Sequence, residues 1–286
     1  MSEKILITGA TGTIGKSLVK QLQASKVNFV AGTRDFNKAK TTLNLSQDEW
    51  VKFDFTDEKS FEKATKDVDR IFLLGPPLTF NLDQILKSFV DFVQQKGINR
   101  VVYISAFGNE SLDGDLAFHG IMENYLNDKQ FDYTILQPSF FSQNFKNYEY
   151  ENLMERGITF NVAGEGKVGF VDTEDVAKVA AKVLTENGHS GKTYQLTGPE
   201  LLSYDDVANL LSEVLDKEIV YPNPTEEEYR GALKAGGAPD FVADYMIPIF
   251  GMIKNGTVGR LTNDIEQVLG KKPIDLKTVL KRDFGK

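Results

Sequence analysis

One stretch near the N-terminus constrains this chain more than any other. Thr8-Gly9-Ala10-Thr11-Gly12-Thr13-Ile14-Gly15 follows a short apolar run, Lys4–Thr8, and opens a segment in which Ile14, Leu18 and Leu22 share one helical face. Glycines in the spacing G-x-x-G-x-x-G suit a strand that turns tightly into a helix. Gly9 allows the turn, Gly12 lets the backbone come close to a bound group, and Gly15 lets the helix pack close to the sheet. The first turn of such a helix presents free N–H groups and a partial positive charge, which together form an anion site. A pyrophosphate is the expected occupant, and Thr8, Gly9, Thr11, Gly12, Thr13, Ile14 and Gly15 are its candidate binding residues.

The rest of the first half repeats the alternation. Strand-like runs occur at Phe29–Gly32, Val51–Phe55, Arg70–Leu74, Arg100–Ser105 and Tyr133–Leu136, with helical patterns at Leu82–Gln95 and Leu116–Asp128. Short, continuously apolar strands separated by helices imply a parallel sheet covered on both faces. The expected fold class is α/β, a doubly wound parallel sheet of Rossmann type with a smaller, mostly helical C-terminal substrate cap. Residues 1–150 should form the dinucleotide-binding core. Segments at about 158–200 return to it, with a strand at Ile158–Val162, a helix at Glu174–Glu186 and a strand at Thr193–Leu196. Residues 201–286, rich in helical patterns and in Gly/Pro loops, should form the cap, lying over the carboxyl ends of the strands where ligands of such sheets bind.

The end of the second strand speaks to which dinucleotide is held. An NAD site places Asp or Glu there for the ribose 2′-hydroxyl, whereas this chain reads Gly32-Thr33-Arg34. Arg34, with Lys38 one helical turn beyond, suits the 2′-phosphate of NADP(H), so NADPH should be preferred over NADH. Asp35 either pairs with Arg34 or serves the ribose itself. Position in the topology adds Asp54 and Phe55 beside the adenine, Leu74, Gly75 and Pro76 where the chain passes the cofactor, and Ser105 beside the nicotinamide ribose. A capping or turn role serves Asp54 and Ser105 equally well.

Composition narrows the chemistry. The 286 residues include no Cys and only two His, His119 and His189, which excludes thiol chemistry, Cys-based metal sites and any short two-His metal motif. Neither a metal nor a flavin is expected. The net charge of −8 opposes nucleic-acid binding. The apolar tract Tyr245–Ile253 is too short to span a membrane. With no signal-peptide pattern at Met1, the expectation is a cytoplasmic protein, monomer or homodimer.

Across nearly its whole length the chain resembles the NmrA-like atypical short-chain dehydrogenases/reductases. The resemblance rests on Thr8–Gly15, Gly32–Arg34, His119-x-x-x-Glu123-x-x-Leu126, Tyr133–Pro138 with Asn144 downstream, Gly169–Asp172 with Asp175-Val176-Ala177, Leu196–Pro199 and Thr262–Asp264. Within that group it is most similar to bacterial NADPH:quinone oxidoreductases and to triphenylmethane and azo dye reductases. The superfamily's Tyr-x-x-x-Lys pair is absent from its usual place. Tyr125 and Lys129 match the spacing but fall at a helix C-terminus, where a lysine favours the dipole. Counting from Glu123 puts His119 in the lysine position and Asp115 in the tyrosine position.

The resemblance implies hydride transfer from NADPH to a quinone or related conjugated acceptor. His119, the candidate catalytic residue, would donate a proton, hydrogen-bond the cofactor ribose or polarise the acceptor; its plain alternative is a helix residue bonded to a local carbonyl. Gln137 and Pro138 should border the cofactor. Phe107, Phe140, Phe141, Asn144 and Tyr148 should line the substrate mouth, flat rings suiting flat acceptors. Other readings are a non-catalytic NADP(H)-binding regulator of the NmrA type and a nucleotide-sugar epimerase-like enzyme.

Overall fold

The computed structural model describes residues 3–285. Seven strands form one sheet: β1 (Ile5–Ile7), β2 (Phe29–Thr33), β3 (Trp50–Lys52), β4 (Arg70–Leu73), β5 (Arg100–Ile104), β6 (Asp132–Pro138) and β7 (Lys192–Leu196). Their order is β3-β2-β1-β4-β5-β6-β7, and the ladders from β3 through β6 are all parallel. The sequence reverses direction at β1, which puts the Gly9–Gly15 turn at the switch point of a doubly wound sheet.

The helices are α1 (Thr13–Ala24), α2 (Phe36–Thr42), α3 (Lys59–Ala64), α4 (Leu82–Gln95), α5 (Phe118–Asp128), α6 (Asn144–Asn147), α7 (Thr173–Thr185), α8 (Tyr204–Leu215), α9 (Glu226–Ala235), α10 (Asp240–Lys254), α11 (Asp264–Leu269) and α12 (Leu276–Phe284). None is long and apolar enough to cross a membrane among the described residues.

The chain divides into two compact units. The first comprises the residues up to Ala106, Ala117–Gln137 and Thr173–Gln195. It is built on the sheet, and its core is the apolar strand face with the buried stripes of the helices: Leu6, Ile7, Leu18, Leu22, Ile71, Phe72 and Phe89 are all at most 1% exposed. Helix α1 packs along α7, and α4 packs along α5.

The second unit takes Phe107–Leu116, Pro138–Asp172 and everything from Leu196 onward. Its contacts therefore begin well before residue 201, because two earlier segments fold with the helical region. Its own core gathers Phe107, Phe145, Phe170, Tyr204, Leu211, Tyr229 and Ile253. Arg282 near the end of α12 closes a bidentate fork on the fully buried Asp172, with Nη1 at 2.8 Å and Nη2 at 3.1 Å, while Gln143 donates to the same carboxylate at 2.9 Å. A carboxylate taken out of water persists where its lone pairs are satisfied this way.

One expected strand is not formed. Ile158–Val162 makes a single parallel bridge, Ile158 to Val220, and no ladder. The Phe160 N–H, which a ladder would use, goes instead to the Glu149 carboxylate at 3.1 Å.

Candidate functional site

The glycine turn has the geometry its spacing implies. Gly9 has φ +64°, and a Cβ there would lie 3.0 Å from Leu74 Cδ2. At Gly15 a Cβ would lie 2.2 Å from the Gly9 carbonyl and 2.7 Å from Ala10 Cα, so only glycine lets α1 seat on the loop that precedes it. Gly12 occupies the N-cap of α1 without a capping side chain, and no acidic residue stands in the first turn. The first intrahelical bond is Lys16 N–H to Gly12 O at 2.9 Å. A helix start with neither a capping oxygen nor a competing carboxylate fits a phosphate.

Thr8 has a structural part as well as the one expected of it. Its fully buried hydroxyl lies 3.0 Å from both Phe72 O and Leu74 O, between which its one proton is shared, and accepts the Leu74 N–H at 2.8 Å. It fastens the end of β1 to the end of β4 and so shapes the loop.

At the end of β2, Arg34 is exposed. Asp35 accepts the Asn37 N–H at 2.8 Å, capping the first turn of α2, and the Asp35 N–H is received by Thr33 Oγ1 at 3.2 Å. The accepted Asn37 N–H gives Asp35 a local role beside the two the sequence offers it. The Lys38 side chain lies outside the described residues. Asp54 sits beyond β3 and holds a turn, accepting the Thr56 N–H at 3.0 Å and the Thr56 hydroxyl at 2.8 Å. Burial opposes its ionisation, but those hydrogen bonds and the charges of Arg34 and Lys52 outweigh this and leave its pKa lowered. Phe55 lies edge-on to Phe53, with ring centroids 4.8 Å apart, and is also edge-on to Phe89. Leu74 abuts Gly9, and Gly75 lies under Leu82, whose Cδ2 a Cβ would meet at 2.7 Å.

Beyond β5 and β6 the first unit holds a linked set of polar side chains. Ser105, 3% exposed, donates to Glu123 Oε1; Gln137 Nε2 donates to the same oxygen at 2.9 Å; Gln195 Nε2 donates to Gln137 Oε1 at 3.1 Å. One helical turn before Glu123 on α5, His119 Nδ1 lies 2.7 Å from the hydroxyl of Tyr103, a fully buried residue of β5. Desolvation lowers the His119 pKa to about 3, so the ring is neutral at physiological pH. The sequence pattern supplied His119, Ser105 and Gln137 but missed Tyr103 and Gln195. Glu123 was visible only as the i+4 neighbour of His119.

Two sequence features resolve into local structure. Tyr125 donates to Asp91 Oδ1 at 2.6 Å, and Lys129 pairs with the same carboxylate at 2.8 Å while lying over the Tyr125 ring, so this Tyr–Lys spacing is an ion-pair cluster between α4 and α5. His189 Nδ1 lies 2.8 Å from the Tyr194 hydroxyl, and its carbonyl accepts the Thr134 hydroxyl at 2.9 Å, which closes the turn before β7.

The substrate-mouth candidates belong to the second unit. Phe107 is 2% exposed, a member of that unit's core, with the Arg260 guanidinium 4.3 Å above its ring. Phe140 packs on Phe250 with centroids 6.2 Å apart. Phe141 forms a parallel bridge with Val171, and Asn144 begins α6. Tyr148, by contrast, is 73% exposed. Pro138 accepts the Phe107 N–H at 3.0 Å. Among the described residues no group of three or more His, Asp or Glu side chains has the arrangement to hold a metal ion.

The family model described as NAD(P)H-binding covers residues 9–187. Festuclavine synthase II of Penicillium roqueforti is 32% identical over 288 residues, covering 98% of each chain. Among solved structures, the triphenylmethane reductase of Citrobacter sp. superposes with a TM-score of 0.86 at 27% identity, over 99% of this chain and 100% of that one. The NADPH-dependent quinone oxidoreductase of Escherichia coli, solved with NADPH, superposes with a TM-score of 0.85 at 26% identity, over 98% of this chain and 99% of that one. With the glycine turn at the switch point of its sheet, the chain belongs to the NAD(P)H-binding family.

Proposed function

We propose that the protein is an NADPH-dependent reductase that passes a hydride to a quinone or related conjugated acceptor without flavin or metal. The observation that carries this reading is the pairing of an uncapped, carboxylate-free helix start behind Gly9–Gly15 with an exposed arginine at the end of β2. NADPH, when bound, supplies the hydride.

The chain's residues bind and orient. N–H groups at the start of α1, with Thr11, Gly12, Thr13 and Ile14, hold the pyrophosphate. Arg34, exposed at the end of β2, meets the 2′-phosphate. Asp54, Phe55, Leu74, Gly75 and Pro76 border the nucleotide. Ser105 and Gln137, both anchored on Glu123, present fixed polar edges to the nicotinamide half. Pro138 borders the cofactor beside Gln137, and Phe140, Phe141 and Asn144 serve the acceptor.

His119 acts as a neutral ring. A phenol is the better donor and an unprotonated ring nitrogen the better acceptor, so Tyr103 donates to Nδ1 and leaves Nε2–H to hydrogen-bond a ribose or acceptor oxygen. The named activities of the similar proteins, reduction of quinones and of triphenylmethane dyes, support this acceptor class. The test is NADPH oxidation by purified protein with 1,4-benzoquinone, azo dyes and triphenylmethane dyes. Turnover with a quinone is expected; nucleotide binding with no turnover on any of the three sets overturns the reading.

A further inference from the structure

Leu276 and Leu280 seat α12 in the core of the second unit, where it packs along α8. Its last turn meets one segment, residues 143–150, at three places. Arg282 forks onto the Asp172 carboxylate, whose Oδ1 also accepts Gln143 Nε2 at 2.9 Å. Lys146 Nζ donates to Asp283 O. Phe284 stacks on Tyr150, with ring centroids 6.2 Å apart and the planes 5° from parallel.

The stretch that leads into this segment is held from another side. Val171 N–H donates to Phe140 O at 2.8 Å, and Ser142 N–H donates to Val171 O at 3.0 Å, around the parallel bridge of Phe141 to Val171. Asp172 is the next residue. Backbone bonds at Val171 therefore set the course of residues 140–142, and the side-chain bond at Asp172 sets the turn at Gln143 into α6, which begins at Asn144. Burial sorts the same stretch. Ser142, Gln143 and Phe145 are buried, while Phe140, Phe141 and Asn144 keep part of their surface accessible. The residues assigned to the acceptor are the ones left open, between neighbours that are anchored.

Asp172 has no accessible surface, whereas 36% of the Arg282 side chain is accessible. A fully buried carboxylate depends on the cation paired with it, and a planar guanidinium supplies direction as well as charge. Arg282 Nε is itself directed by Asp283 Oδ1, at 3.0 Å. We propose that the last turn of α12 is a strap for the acceptor-side stretch 140–144, with Arg282 as its positioning residue, acting through Asp172 and Gln143. The proposal rests on the hydride-transfer reading and deepens it: the strap sets how tightly the acceptor is held. NADPH, assigned to the glycine turn and Arg34, should not respond to it.

The test is steady-state reduction of 1,4-benzoquinone at saturating NADPH, with the NADPH Kd taken from fluorescence titration. Arg282→Ala is expected to raise the quinone KM at least about tenfold, with kcat and the NADPH Kd each within about threefold of wild type. Simple loss of folded protein would instead lower kcat at an unchanged KM. Millimolar guanidinium, entering from the accessible side of the ion pair, should restore the KM of Arg282→Ala. It should do nothing for Arg282→Ala combined with Asp172→Asn, which lacks the carboxylate to receive it. If Arg282→Ala does not fold, Arg282→Lys decides: it keeps the charge without the fork, and a KM rise of at least about threefold is expected. A wild-type KM in a folded Arg282 variant, or equal guanidinium effects on the single and double variants, overturns the strap alone. Wild-type protein inactive on quinones and dyes overturns the hydride-transfer reading and the strap with it, so the two failures are distinct.

Discussion

The Tyr103 hydroxyl and His119 Nδ1 are 2.7 Å apart, joining the middle of the sheet to the face of α5. Tyr103 is fully buried and His119 half-buried, and the bond governs which ring nitrogen carries the proton. Tyr103→Phe frees the tautomer while conserving the ring's bulk. We expect a fall in kcat of about tenfold with an unchanged Kd for NADPH, and a stability loss of roughly 1–2 kcal/mol from the unsatisfied ring nitrogen. An unchanged kcat, measured in steady state, removes His119 from the reaction.

The same ring sets a pH prediction. The His119 pKa falls from an ordinary value near 6.5 to about 3 on folding. Between these values the unfolded chain binds the additional proton, so this contribution to stability is present above pH 6.5 and is lost as pH falls toward 3. The C2–H resonance of His119 should stay at its neutral position from pH 8 to pH 5. A midpoint near 6.5 would show instead a ring open to water.

Arg34→Ala should weaken NADPH by roughly 10–100-fold, the worth of a charge-assisted phosphate contact, and barely change NADH. Equal weakening of both, measured by fluorescence titration, refutes the 2′-phosphate role.

Gly15→Ala introduces a methyl where 2.2 Å separates it from a backbone oxygen. Helix α1 must shift off its loop, at a cost of about 2–3 kcal/mol in thermal or denaturant unfolding, with cofactor affinity reduced in parallel. A variant as stable as wild type would mean the loop yields.

Glu149 has the opposite linkage to His119. Burial raises its pKa from an ordinary 4.5 to about 7, so the folded state binds the additional proton between these values and stability declines as pH rises from 4.5 through 7. Glu149→Gln should therefore melt higher than wild type at pH 8 and close to it at pH 5. A melting difference independent of pH would contradict this.

How far the sequence speaks depends on how local each constraint is. The Gly9–Gly15 turn was legible because backbone conformation and close approach restrict those positions whatever surrounds them. The alternation of strands and helices was legible from apolar spacing. Asp35 was ambiguous beside Arg34, since capping α2 depends on a backbone direction that composition does not carry. The Thr8 staple was not legible because it reaches 64 positions away, to Phe72. Tyr103 is hidden in an apolar strand, where an inward tyrosine resembles any other core residue. Ile158–Val162 has the composition of a strand, but the Glu149 carboxylate takes the N–H that would have paired it. Phe107 and Tyr148 show the limit for aromatics: one is core and the other solvent-facing, and spacing does not tell these apart.

The Thr8 hydroxyl lies within hydrogen-bonding distance of Phe72 O and of both backbone groups of Leu74, and Leu74 in turn packs on Gly9. The loops after β1 and β4 are therefore mechanically coupled: neither can be displaced without loading the other. A nucleotide touching both meets a single stiff surface, so little configurational freedom remains to be lost on docking, and a substitution in either loop propagates to its neighbour.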